Sequence, residues 1–306
     1  MARALHTFTM NPKPFHMSDP PTFKKRYVIR HVLGEGSFGK VYAGIRVEDA
    51  LPVAIKCTKK HYGKLDSLNG YLPAEVSFLH QLSHVEGVIK LIDACWLGET
   101  LTIVMERIEY CMDLYDFVEN KLMTPALTQS LFRQLVETVN QCHSAGIIHN
   151  DIKPENILVD LNTNTIKLID FGWADYYNAF TNFDGGTRGY KPPEAFSEHA
   201  FSCLAATVWS LGITLDYLAC DRLLYEDPED LTEKEVEDIS FPDHVPALCQ
   251  DLIRKLLTFN WIERPTLVQV LTHPYLQAHP HMLEASDDSF ILPNFSTIKR
   301  GRCITN

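Results

Sequence analysis

The feature that most limits the fold of this chain is a change of hydrophobic period near residue 110. Residues 27–106 read as strands, in runs at 27–33, 40–46, 52–57, 88–92 and 101–105 rich in Val, Ile, Tyr and Thr. One helix interrupts them at 73–82, with Pro73 in its first turn, where a missing N–H costs nothing. Beyond Asp113 the period turns helical: Leu127, Leu131, Phe132, Leu135, Val136, Val139 and Cys142 recur at the spacing of one buried helix face. Residues 205–220 are apolar nearly all round, as suits a helix at the centre of a lobe. Val245, Leu248, Leu252, Ile253, Leu256 and Leu257 repeat the amphipathic pattern. At 306 residues the chain is long enough for two core-forming lobes. The expected fold is α+β: a small strand-rich lobe over 25–107, a connector over 106–113 and a larger helical lobe over 114–276. Residues 1–24 and 277–306, irregular and polar, are expected to be a flexible leader and tail. The cleft between lobes is the natural place for a ligand.

The residues that carry chemistry fall at that cleft. His149-Asn-Asp-Ile-Lys-Pro-Glu-Asn156 is followed at 170–172 by Asp-Phe-Gly, with strand-like Ile157-Leu-Val159 and Ile166-Lys-Leu-Ile169 between them. Phosphoryl transfer needs a carboxylate to orient the incoming hydroxyl and oxygen ligands for magnesium near the phosphates. Asp151 suits the first task, Asn156 and Asp170 the second, and Lys153 adds a point charge. Gly34-Glu-Gly36-Ser-Phe-Gly39 is a glycine-rich loop whose backbone can approach phosphates closely. A dinucleotide-binding loop of this type needs a helix next and an acid some twenty residues on. Here strand-like residues follow, and the position in question is Lys56. A Walker loop needs Gly-Lys-Ser/Thr, which is absent. Lys56 closes the apolar run Val53-Ala-Ile-Lys56, and Glu75 on the following helix is its expected partner.

Composition narrows the function classes. The net charge of -11 disfavours a nucleic-acid partner and favours cationic ones. No apolar run approaches the length of a membrane span, and residues 1–21 lack the apolar centre of an export signal. Eight scattered cysteines without a C-x-x-C pair indicate reduced thiols, in the cytosol or nucleus. Cys142, His143 and His149 lie in apolar surroundings and read as packing rather than metal ligands. A monomer is expected.

Over about residues 27–276 these motifs resemble the protein kinase family. That resemblance implies the two-lobed kinase fold, with ATP and Mg²⁺ as cofactors. It assigns Leu33, Gly34, Gly36, Gly39, Val41, Ala54, Lys56, Glu75, Met105, Glu106 and Ile108 to ATP, Asn156 and Asp170 to the metal, and Asp151 and Lys153 to catalysis. It also implies a buried Glu194–Arg264 pair anchoring the activation segment, and a stack of Leu79, Leu91, His149 and Phe171 joining the lobes. Lys153 and Thr187 resemble the serine/threonine branch. The segments at 44–56, 105–107, 113–117, 181–184 and 208–213 are similar to the Pim kinases, which prefer basic substrates. The matching positions are Asp113, Asp116, Glu155, Asp221 and Asp227, and Thr187 belongs to the same substrate-facing set.

Several positions depart from the family. Ile108 replaces a hinge proline and restores a backbone N–H. Asn150 replaces the arginine that grips an activation-segment phosphate, so activity without that phosphorylation is expected. Thr207 replaces a supporting aspartate, Trp173 is unusually bulky, and Gly185-Gly186 lengthens the segment by a residue. A pseudokinase acting as a nucleotide-binding scaffold is the alternative, given Asn150 and Thr207. Lys56, Glu75, Asp151, Asn156 and Asp170 are all present and favour an active enzyme. A small-molecule kinase fits the Pro192-Pro-Glu194 segment and Thr187 less well.

Overall fold

Five antiparallel strands form the first sheet, in the spatial order β1-β2-β3-β5-β4. They are β1 (Tyr27–Gly36), β2 (Gly39–Arg46), β3 (Pro52–Lys59), β4 (Leu91–Leu97) and β5 (Thr100–Glu106). The computed structural model describes residues 15–36, 39–59, 66, 72–180, 185–197 and 200–278. Four of the five expected strands fall where the β-branched runs are. The fourth lies later than the expected 88–92, because Val88 and Ile89 pair with Leu168 of the second lobe instead of with the sheet. Two helices accompany this lobe, α1 (Pro20–Arg26) and α2 (Ala74–Gln81). Pro73 is the N-cap of α2, just outside its expected place in the first turn.

Helix α1 corrects the flexible leader over the stretch from Phe15 to Lys24. Asp19 caps it by accepting from the Thr22 amide, Phe23 is buried, and Ser18 donates to the Asp93 carboxylate and to the Ala94 carbonyl. Phe23 and Tyr27 give the outer side of the sheet a small core of its own with Val53, Ile55, Cys95 and Val104. Residues 1–14 and the tail from 279 onward, including the basic cluster at Lys299, Arg300 and Arg302, lie outside the described residues.

The second lobe is helical, as its period implied. Its long elements are α4 (Pro125–Ser144), α6 (Cys203–Cys220) and α8 (Ala247–Leu256). Shorter ones are α3 (Leu114–Glu119), α5 (Glu194–Ser197), α7 (Glu233–Glu237), α9 (Leu267–Leu271) and α10 (Pro274–Gln277). Thr124 caps α4 by accepting from the Leu127 amide. The expected face from Leu131 to Cys142 is buried, with Leu127 partly so. Helix α6 does have the length and hydropathy of a membrane span, contrary to the reading of the sequence, but 72% of that window is buried inside the protein.

Short strands frame the cleft. β6 (Cys111–Asp113), β8 (Ile157–Asp160) and β9 (Thr165–Leu168) form one sheet; β7 (Ile147–Ile148) and β10 (Asp175–Tyr176) form another. One contiguous apolar cluster runs from Val76 and Leu79 through Phe171 to Leu276. Leu79 and Phe171 are fully buried in it, Leu91 packs against it, and His149 meets Phe171 edge-on at 4.7 Å. The two lobes are thus cemented behind the cleft.

Candidate active site

A cleft of about 920 Å³ opens between the sheet and the helical lobe. Its roof is Leu33, Gly36, Gly39, Val41 and Ala54 from β1–β3, and its connector wall is Met105, Glu106 and Ile108. Gly34 is the exception among the expected residues: it is buried in the β1–β2 ladder opposite Val41 and does not face the cleft. Gly39 has φ +142°, and a Cβ there would stand 2.0 Å from the Cys57 carbonyl oxygen, so only glycine fits. Ser37 and Phe38 lie outside the described residues. Ile89, Leu158 and Ile169 complete the apolar lining. Their runs were legible as strand or core, but apolar pattern alone does not separate a core side chain from one facing a ligand.

Deep in the cleft, Lys56 Nζ donates to Glu75 Oε1 and Asp170 Oδ1, each at 2.7 Å. Lys56 is buried. Burial pulls its pKa down, yet the charges of Asp170 and then Glu75 overcome this and hold it above the usual lysine range. Asp170 is likewise held low: burial would raise it, but the facing Lys56 charge and hydrogen bond prevail. Its backbone is left-handed (φ 59°), uncommon without glycine.

Across from this pair stands the loop between β7 and β8. Asp151 is buried and both its carboxylate oxygens are oriented: Oδ1 accepts from the Thr187 amide at 2.8 Å, and Oδ2 from Asn156 Nδ2 at 2.9 Å. Lys153 Nζ lies 3.7 Å from Asp151 Oδ2 and donates to Thr187 Oγ1 at 2.8 Å. His149 Nε2 reaches the Ile169 carbonyl at 2.9 Å, tying this loop to the strand before Asp170; burial keeps its imidazole below its usual pKa. His149 and Cys142 therefore serve packing and loop anchoring.

Metal fit follows from the donor set. Asn156 commits Nδ2 to Asp151, which leaves Oδ1 as an oxygen ligand, and Asp170 supplies a carboxylate. One carboxylate and one amide oxygen, with phosphates to complete the shell, suit Mg²⁺ rather than a dedicated all-protein cage.

The departures find local explanations. Asn150 is left-handed (φ 65°), which asparagine tolerates, and its Nδ2 donates to the Trp173 carbonyl at 3.1 Å. Gly186 has φ +86°, and a Cβ there would stand 2.5 Å from the Asn150 carbonyl oxygen, so the extra glycine lets the two segments pass. Thr207 turns its hydroxyl to the Cys203 carbonyl at 2.9 Å within α6. Glu194 and Arg264 form the expected buried pair, bidentate at 2.6 and 2.8 Å.

The expected substrate-facing acids separate into two groups. Asp113 is buried, and its carboxylate caps α3 by accepting from the Asp116 amide, so it does not stand on the rim. Asp221 is paired with Lys121, and Asp227 with Arg188 at 2.8 Å. The expectation for Asp113 is corrected, since its carboxylate is committed to capping; Asp221 and Asp227 face cations of this chain in solvent-exposed pairs. Asp116 is half-buried in the first turn of α3. Glu155 lines the cleft, and its Oε2 is buried with no hydrogen-bond partner among the described residues. Burial lifts its carboxyl above the usual range, with Lys153 partly offsetting this.

Residues 27–276 match a family model described as protein kinase domain. The chain is similar to serine/threonine-protein kinase pim-2 of Danio rerio, 36% identical over 294 residues covering 90% of this chain and 91% of that protein. It is similar to serine/threonine-protein kinase prk-2 of Caenorhabditis elegans, 37% identical over 261 residues, 83% of this chain and 59% of that protein. Testis-specific serine/threonine-protein kinase 3 of Homo sapiens is 31% identical over 261 residues, 82% of this chain and 96% of its own length.

Proposed function

This chain belongs to the protein kinase family, and we propose that as a serine/threonine kinase it transfers the γ-phosphoryl group of ATP to hydroxyls in basic proteins. Lys56, Asp170 and Asn156 line one cleft, and Asp151, in the neighbouring pocket, is hydrogen-bonded to Asn156; that arrangement is the observation that carries this reading. Lys56, steadied by Glu75, contacts the nucleotide phosphates from the sheet side. Asp170 and Asn156 would hold Mg²⁺, which when bound neutralises charge on the phosphates. Asp151, with both oxygens already oriented, aligns the substrate hydroxyl and accepts its proton. Lys153 spans from Asp151 to Thr187, setting the height of the segment on which a peptide rests.

Two finer points belong to the same reading. Basic substrates are favoured by Glu155, a half-buried carboxylate with one buried, unpartnered oxygen, and by the half-buried Asp116 on α3. Independence of activation-segment phosphorylation is favoured by Asn150, whose amide is already satisfied by Trp173 and carries no charge to grip a phosphate. A reducing compartment, cytosol or nucleus, accords with seven free thiols among the described residues.

The test is phosphate transfer to arginine-containing serine peptides beside an Asp151→Asn control. The variant should lose at least about 100-fold in turnover while binding ATP nearly as before. An Asp151→Asn protein as active as wild type would overturn the assignment of Asp151.

A further inference from the structure

Helix α2 carries Glu75, so whatever holds that helix in place also holds Lys56. Two residues from Glu75 and therefore turned to another side of the helix, Ser77 donates its hydroxyl to Asp66 Oδ2 at 2.5 Å. The Tyr176 hydroxyl donates to the same oxygen at 2.9 Å. One turn further along α2, Gln81 Nε2 donates to the Tyr176 hydroxyl at 2.6 Å and to Ser77 Oγ at 3.1 Å. Asp66 is only 2% exposed, and the Tyr176 ring meets Phe78 of α2 edge-on at 5.1 Å.

Tyr176 is the joint of this network. It stands in β10, shortly beyond Asp170, and pairs there with Ile147 of β7, the strand that leads into the Asp151 loop. Asp66 belongs to the connection between β3, which ends just past Lys56, and α2. These hydrogen bonds thus tie the β3–α2 connection to α2, which carries Glu75, and to β10, which follows Asp170. Within a buried setting such bonds reinforce one another and are costly to lose singly.

We propose that Asp66, Ser77, Gln81 and Tyr176 form a positioning clasp for phosphoryl transfer, fixing α2 against the segment after Asp170 so that Glu75 stays on Lys56. None of the four touches the nucleotide cleft, so the clasp acts through Glu75. The catalytic side of this inference rests on the kinase reading above.

Tyr176→Phe keeps the ring against Phe78 and removes only the hydroxyl. It should lower kcat about tenfold, leave the peptide KM unchanged, and speed amide exchange across Ala74–Gln81 by a similar factor. Ser77→Ala should do the same and serves if Tyr176→Phe fails to fold. In a Glu75→Gln background Tyr176→Phe should have no further effect on kcat, as expected for two residues acting in one chain of contacts. Wild-type kcat and exchange in both single variants would overturn the clasp. So would an equal kcat loss in both backgrounds, the signature of a merely structural role. Should the wild-type protein transfer no phosphate, the kinase reading fails, and the exchange measurement still decides whether the clasp holds α2.

Discussion

Lys56 and Glu155 respond oppositely to burial because their neighbours differ. Lys56 has two carboxylates at 2.7 Å and stays charged; Glu155 is half-buried with an unsatisfied oxygen, and its proton is held more tightly than usual. The sign of the consequence follows. Above its raised pKa Glu155 is an anion that attracts a cationic peptide, and as pH falls through that value the attraction is lost. The KM for arginine-containing peptides should therefore rise as the assay pH is lowered through the raised pKa of Glu155. Glu155→Gln should have a high KM throughout and a flatter profile; a Glu155→Gln profile as steep as wild type would count against this role. At this scale the sequence showed which side chains carry charge, the Lys56–Glu75 pairing was legible in it, and the family resemblance implied Glu194–Arg264. It did not show that Asp113 caps a helix, since an acid before a helix reads equally well as cap or rim.

Helix α6 and the segment around Glu194 depend on one ion pair. Arg264 is buried, grips Glu194 bidentately, donates to the Ala205, Thr258 and Phe259 carbonyls, and lies 4.8 Å over the Trp209 ring. Removing the guanidinium leaves Glu194 as an uncompensated buried charge. Arg264→Ala should therefore lose about 3–5 kcal/mol in urea unfolding. A loss below about 1 kcal/mol would mean that the carboxylate finds another partner. Long elements were legible where the period is sustained: α4 keeps the expected apolar face buried from Leu131 to Cys142. The elements β7, β10 and α1 were not, because so few residues show no period and the strands' hydrogen bonds come from distant segments.

For the whole molecule, a net charge of -11 and a neutral Asn150 point the same way. The segment before Pro192 is already held: Thr187 meets Lys153 and Asp151, and Arg188 meets Asp227 and Glu229. Protein made in bacteria and stripped by phosphatase should keep most of its turnover, and a collapse of activity after treatment would refute independence from phosphorylation. Raising ionic strength should weaken basic-peptide binding, as screening requires. By itself the sequence determined the strand-to-helix order and the short motifs that carry Lys56, Asn156 and Asp170, because both rest on local period and short spacings. Which acids remain open to a partner was decided only by the folded chain. Lys121 reaches Asp221, and Arg188 reaches Asp227, across loops far apart in the sequence, and such pairings arise from how segments pack rather than from any repeat that a linear pattern can carry.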